Sequence, residues 1–150
     1  MTPMTIRAAR ESDLQAVVDM LADDPLGATR ESPTELDRYL PAFRAIEADP
    51  HQHLAVVEID GRVAGCLQLT VIPGLSRTGM TRGLIEAVRV HRDHRGSGVG
   101  SRLVEWALDR ARREGCGIVQ LTTDLTRHDA HRFYERLGFV RSHYGMKHPL

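Results

Sequence analysis

The chain alternates short stretches of two kinds of periodicity. Thr5-Ile6-Arg7-Ala8 alternates polar and apolar residues and predicts a short first strand. Ser12-Asp13-Leu14-Gln15 has the spacing of a capping box, Ser12 at the N-cap and Gln15 three residues on. It opens an amphipathic helix with Leu14, Val17, Val18 and Leu21 on one face. Residues 23–31 are polar and aperiodic, a flexible connection. Ser32-Pro33-Thr34-Glu35 is a second capping box, with proline at the first helical position. The helix it predicts runs toward Asp49, bent or broken near Pro41.

Period-2 patterning then takes over. Residues 54–59 form an apolar, β-rich run, Asp60-Gly61 is a two-residue hairpin signal, and residues 62–72 form the return strand, stopped by Pro73-Gly74. A loop extends through Gly79, and residues 84–90 predict a further strand. A glycine-rich turn leads into a long helix over 98–114, closed by Gly115 as its C-cap. Residues 118–122 are an apolar strand, 129–137 a helix ended by Gly138, and Phe139-Val140 and residues 144–148 weak terminal strands. The order is βαα, a β-meander, then βαβαββ, a mixed α/β fold in one domain over residues 1–150.

Composition sharpens this only in places. With 41% hydrophobic residues the chain has material for a core, and its formal net charge of +0 argues against a nucleic-acid-coating protein. The halves differ. Residues 1–80 hold 7 basic and 12 acidic residues, a balance of −5, and residues 81–150 hold 13 and 8, a balance of +5. A basic second half suits an anionic ligand and an acidic first half a cation, although solvated surface charge gives the same count. Cys66 and Cys116 lack metal or CxxC spacing and read as buried free thiols. Neither a signal-length apolar run nor a membrane-length one occurs, so the expected location is the cytoplasm, without membrane partners.

The most informative segment is His94-Arg95-Gly96-Ser97-Gly98-Val99-Gly100-Ser101, which follows a strand and opens a helix. Its glycines permit a tight turn and close approach of an anion, and the free N–H groups of a first helical turn favour phosphate. Arg95 adds a charge-assisted donor. The Gly-Lys-Ser/Thr ending of a Walker loop is missing. The dinucleotide fingerprint fails at Ser101, and about 95 residues precede a loop that belongs in a first βα turn.

In these residues the chain resembles the GNAT superfamily of N-acetyltransferases. Arg95-Gly96-Ser97-Gly98-Val99-Gly100 matches the family's Arg/Gln-x-x-Gly-x-Gly/Ala motif. Phe133-Tyr134-Glu135-Arg136-Leu137-Gly138-Phe139 matches its tyrosine helix with a Gly-aromatic stop, in the right order and at the right separation. The resemblance implies a central, mostly antiparallel sheet splayed at strands 4 and 5 and flanked by helices. It implies acetyl-CoA as cosubstrate, with pyrophosphate on the amides of Arg95, Gly96, Ser97, Gly98, Val99, Gly100 and Ser101. The backbone of Val88, Arg89 and Val90 would then contact the pantetheine and acetyl carbonyl. The family often carries asparagine where this chain has Arg127, which either reaches a CoA phosphate or lies on the surface. A homodimer is expected by analogy with the fold.

Acetyl transfer to an amine needs a base, an oxyanion donor and a proton for the leaving thiolate. By resemblance Tyr134 is the acid. By pattern alone it is a core residue, on the stripe of Ala130, Phe133 and Leu137. Glu86 is the candidate base, placed by alternation on the face of Val88 and Val90. Its other reading is an ion pair with Arg82 or Arg89. The Val88 N–H is the candidate oxyanion donor. A covalent route through Cys66 or Cys116 lacks a neighbouring base. The pairs His91/His94 and His128/His131 lack further zinc ligands, and Trp106 reads as core. Asp19, Asp23, Asp24, Glu31 and His143-Tyr144 fall where an acceptor, a small-molecule or protein amine, would bind. A non-catalytic acyl-CoA sensor is the competing function, and a nucleotide-binding protein a third.

Overall fold

The structure is a computed structural model and describes residues 3–150. These fall into two compact units, divided between Gln120 and Leu121. In the first unit the elements are β1 (Thr5–Ala8), α1 (Leu14–Ala22), α2 (Gly27–Arg30), α3 (Leu40–Ala48), β2 (Gln52–Ile59), β3 (Arg62–Ile72), the single turn α4 (Ser76–Gly79), β4 (Thr81–Val90), α5 (Val99–Arg113) and β5 (Cys116–Gln120). The strands form one sheet in sequence order, antiparallel up to β4 and parallel between β4 and β5. The parallel step is the crossover carried by α5.

The central strands β2 and β3 are covered on both faces, which explains why they read as nearly continuous apolar runs. On one face Val56 and Cys66, paired across β2 and β3, pack with Val17 and Met20 of α1. Leu14, Val18 and Phe43 form a neighbouring cluster with Leu54. On the other face, α5 buries Val99, Leu103, Val104, Ala107 and Ala111. Gly65 admits this helix: a Cβ there would stand 2.9 Å from Val99 Cγ1 and 3.0 Å from Leu103 Cδ1.

Several local signals end as expected. Asp60 and Gly61 both have positive φ, as a two-residue hairpin turn requires. Gly98 and Gly115 bracket α5 with φ of +87° and +80°.

The capping boxes do not form as read. Asp13, not Ser12, organises the start of α1: its carboxylate accepts from the Arg10 N–H at 2.7 Å and holds the Arg7 guanidinium at 2.7 and 3.0 Å. The ion pair with Arg7 therefore captures the residue that closes the turn, and Gln15 instead donates to Asp19 and Pro33 O. The helix expected from Pro33 begins only at Leu40, so Pro41 lies in its first turn, where its missing N–H costs nothing.

The second unit, residues 121–150, contains α6 (His128–Arg136), preceded by a turn in which Asp124 accepts from the Thr126 N–H and hydroxyl. Gly138, with φ +94°, ends it. The strands expected at Phe139-Val140 and over 144–148 are not formed: no strand pairing occurs after Gln120 among the described residues.

Candidate active site

The site grows out of β4. Its first residues, Thr81 to Leu84, pair with β5, but the register ends there. From Ile85 to Val90 the strand pairs only with β3, and the His91 N–H extends that ladder to Ala64 O at 2.8 Å. Beyond Leu84, β4 therefore presents a row of backbone groups on its β5 side without a strand partner. Val88, Arg89 and Val90 lie in this stretch.

The same stretch holds a β-bulge that alternation does not reveal. Cys66 pairs with Arg89 and Gln68 with Glu86, so Leu67 faces two residues, Ala87 and Val88. Ala87 has φ +54°, a left-handed conformation that a non-glycine residue adopts rarely. The Cys66 thiol donates to Ala87 O at 3.5 Å.

The bulge changes which side chains share a face. Glu86, through Gln68 and Leu54, faces the α1 and α3 side. So does Arg89, through Cys66. Val90 pairs with Gly65, which abuts α5, and faces the other way. The expectation that Glu86 shares a face with Val90 is therefore corrected: the extra residue reverses the alternation between them. Glu86 is exposed and makes no hydrogen bond or ion pair among the described residues. Arg82 donates instead to Gln120, and Arg89 lies 3.6 Å from Asp24 and donates to Val88 O. The ion-pair reading of Glu86 is thereby removed.

The strand leads into the glycine loop. Arg92 to His94 form one 3-10 turn, capped by His91 Nδ1 accepting from the Asp93 N–H at 3.1 Å. The Ser97 N–H and hydroxyl both turn back to His94 O. Gly96 and Gly98 have φ of +77° and +87°, and a Cβ on either would meet nothing within 4 Å. Open space in front of left-handed glycines, at the start of a 15-residue helix, is the cradle that an anionic group needs. The first backbone N–H bonded back into this helix is that of Arg102, to Gly98 O, which leaves those of Val99, Gly100 and Ser101 pointing out of its end.

Arg95 is already engaged. Its guanidinium reaches the Asp23 carboxylate at 3.3 Å, Asp23 O at 3.4 Å and Val90 O at 3.4 Å, and Arg92 binds the same carboxylate at 3.1 Å. Beside them lies a cleft of about 580 Å³ lined by Asp19, Asp23, Pro33, His91, Arg92 and Asp93. Two of the carboxylates expected to attract a cationic acceptor, Asp23 and Asp24, are thus committed to arginines. Glu31 accepts from the Tyr39 hydroxyl at 2.9 Å and Asp19 from Gln15.

Cys66 is buried, and burial pushes its thiol up to about 12; Cys116 is also raised by burial. At neutral pH neither is a thiolate, so neither suits nucleophilic attack. Among the described residues no three His, Cys, Asp or Glu side chains are placed to hold a metal ion, and no helix is long and apolar enough to cross a membrane.

In the second unit, Tyr134 lies on α6 with its ring edge-on to Phe133 at 5.0 Å and Phe139 at 5.7 Å. Its carbonyl accepts from the Leu137 and Phe139 N–H groups, so Gly138 and Phe139 fold the helix end around it. Arg127 is the residue at the helix start, its carbonyl accepting from His131. His131 Nε2 in turn contacts Asp124 O at 2.8 Å.

Comparison with known proteins bears on this arrangement. The acetyltransferase (GNAT) family model matches residues 14–139. An aminoalkylphosphonate N-acetyltransferase of Salmonella typhimurium is 35% identical over 102 residues, 68% of this chain and 66% of its own length, just under two thirds of that relative. A glucosamine 6-phosphate N-acetyltransferase of Trypanosoma brucei brucei is 30% identical, covering 93% of this chain and 90% of its own. A solved structure described as a transcriptional regulator from Bacillus halodurans C-125 is 46% identical, with a TM-score of 0.95, covering 99% of this chain and 100% of that one.

Proposed function

The chain belongs to the GNAT acetyltransferase family, and we propose that it moves the acetyl group of acetyl-CoA to a primary amine by direct attack in a ternary complex. The observation that carries this is the β4 edge left without a strand partner from Ile85 onward, leading into the Gly96–Gly98 cradle and the start of α5. An extended pantetheine arm can hydrogen-bond along such an edge as a strand would, while the pyrophosphate takes the helix N–H groups. The family match runs from residue 14 to 139, across the division between the units, which supports reading residues 1–150 as one acetyltransferase domain.

In this reading Glu86 removes the ammonium proton, directly or through water. The bulge at Ala87 aims the Val88 N–H at the developing oxyanion, and Tyr134 protonates the departing thiolate. The high thiol pKa of Cys66 supports direct attack over an acyl-cysteine route. The acceptor is a small-molecule amine: the relatives from Salmonella and Trypanosoma are named for aminoalkylphosphonate and glucosamine 6-phosphate, both amines that carry a phosphorus oxyanion.

A second reading, an acyl-CoA-binding regulatory module without turnover, is favoured by the description of the Bacillus halodurans chain. One experiment separates the two. Release of free thiol from acetyl-CoA is followed with a panel of amines that includes aminoalkylphosphonates and amino-sugar phosphates. Amine-dependent release supports the enzyme. Tight CoA binding with no release for any amine supports the sensor.

A further inference from the structure

On the face of the sheet that carries α1 and α3, four polar side chains lie in a row across the strands. Gln52 of β2 pairs with Thr70 of β3, and Gln68 of β3 pairs with Glu86 of β4. Alternation puts Gln52, Gln68 and Thr70 on the face of Leu54 and Cys66. Three of the four are tied together: Gln52 Oε1 accepts from Gln68 Nε2 at 3.0 Å and from the Thr70 hydroxyl at 2.8 Å. All three are half-buried. In such a setting a satisfied polar network holds its members in one arrangement.

That arrangement orients Gln68. Its strand, β3, lies between β2 and β4. With Nε2 held on Gln52, the amide turns Oε1 to the side away from β2, where Glu86 stands opposite on β4. Directly opposed residues have Cβ atoms about 4.5–5.5 Å apart, so amide oxygen and carboxylate are neighbours. Both groups accept hydrogen bonds and donate none. Neither accepts from any described residue. The two arginines that share this face of β4 are turned elsewhere: Arg82 donates to Gln120, and Arg89 donates to Val88 O and lies 3.6 Å from Asp24. Two adjacent acceptors with no protein donor between them suit a ligand group that brings several N–H donors and a positive charge.

We propose that Gln68 is an acceptor-binding residue, its Oε1 and the Glu86 carboxylate together holding the ammonium of the amine substrate. The proposal rests on the acetyltransferase reading above and extends it from the base to the group that holds the nitrogen. Of the three N–H groups of a primary ammonium, one gives its proton to Glu86 and a second donates to Gln68, which keeps the nitrogen in place while that proton leaves. Gln52 fixes the Gln68 amide beforehand, so less side-chain freedom is lost when the amine arrives. Thr70 pairs with Leu84, not with Glu86, so it shares the network without facing the carboxylate.

That difference supplies the test. Gln68→Met and Thr70→Val each remove one hydrogen bond to the same Gln52 oxygen and leave the other in place, so their structural costs match. Calorimetry on the CoA-saturated protein measures binding of 2-aminoethylphosphonate and glucosamine 6-phosphate, with ethylphosphonate as the probe that lacks an amine. Gln68→Met is expected to weaken both amines roughly 10- to 150-fold, the worth of a hydrogen bond to a charged group. Ethylphosphonate and CoA should bind as to the wild type, and Thr70→Val should bind the amines normally. Gln68→Asn, which keeps the amide but withdraws it by one methylene, should weaken amine binding in the same direction and carries the test where Gln68→Met does not fold. Wild-type amine affinity in either folded Gln68 variant overturns the proposal. So does an equal loss in Thr70→Val, which marks a structural network, and so does failure of both amines to bind the wild type. Thiol release from acetyl-CoA separates this from the reading it rests on. Gln68-dependent amine binding without release supports the ammonium site and removes the transfer reaction. Amine-dependent release with an unchanged amine KM in Gln68→Met keeps the reaction and overturns the site.

Discussion

Asp23 pairs with Arg95, the side chain proposed to contact the CoA pyrophosphate. Asp23→Asn keeps the side-chain shape and removes the charge that both Arg92 and Arg95 contact, at 3.1 and 3.3 Å. These pairs are open to water, with Arg95 57% and Asp23 31% exposed. Each is therefore worth only about 0.2–1 kcal/mol. In the proposed reading only Arg95 turns toward the pyrophosphate, so only its share is recovered on CoA binding. That predicts CoA affinity about 1.4- to 5-fold tighter in the variant. Calorimetry at low ionic strength reads this directly. In roughly 1 M salt the two proteins should converge, because exposed pairs are screened within about 3 Å. A double-mutant cycle assigns the effect: in an Arg95→Gln background, Asp23→Asn should change CoA affinity little. Unchanged or weaker CoA binding by Asp23→Asn at low salt refutes the reasoning. An equal gain with and without Arg95 does so as well.

Four further outcomes follow from the site and the core. Gly100 lies inside α5 without the positive φ of Gly98, so Gly100→Val disturbs the phosphate cradle without backbone strain. CoA binding should weaken roughly 10- to 150-fold, the worth of one charge-assisted hydrogen bond, while the melting temperature holds; unchanged affinity by calorimetry removes the loop from the site. Tyr134→Phe should lower kcat about 100- to 10,000-fold with CoA binding intact, whereas a drop in stability with normal kcat identifies a core role. Glu86→Gln should lower kcat/KM most near neutral pH and recover at higher pH, where the amine is already neutral; because Glu86 has no ion-pair partner, its melting temperature should not move. Asp13 is held below the usual carboxylate range by its hydrogen bonds with Arg7. Its contribution is complete above the ordinary value near 4 and is lost as pH falls through the depressed one. Asp13→Asn should therefore cost about 1–3 kcal/mol at neutral pH in denaturant melts and flatten the acid side of the stability profile; a parallel profile at all pH values contradicts this.

Much of the chain was legible because the governing interactions are local. The Asp60-Gly61 turn, the ends of α5 at Gly98 and Gly115, and the stop at Gly138 depend on a few neighbouring dihedral angles, and glycine is the residue those angles select. The strand pattern of β2 and β3 and the phosphate cradle follow from the same short-range rules. The failures are equally specific. Ser12 and Gln15 had the spacing of a cap, but Arg7 captured Asp13 and the capping turn formed two residues earlier, between Arg10 and Asp13. Alternation placed Glu86 on the face of Val90, but the bulge at Ala87 is created by the pairing of β4 with β3, and one inserted residue reverses every face beyond it. The splay after Leu84 is a property of two strands more than thirty residues apart. The Asp23 contacts to Arg92 and Arg95 span 69 and 72 residues. The strands expected at Phe139-Val140 and over 144–148 show the boundary most clearly: short runs suggest strands in the sequence, but a strand exists only where a second edge supplies its hydrogen bonds, and none pairs after Gln120 among the described residues.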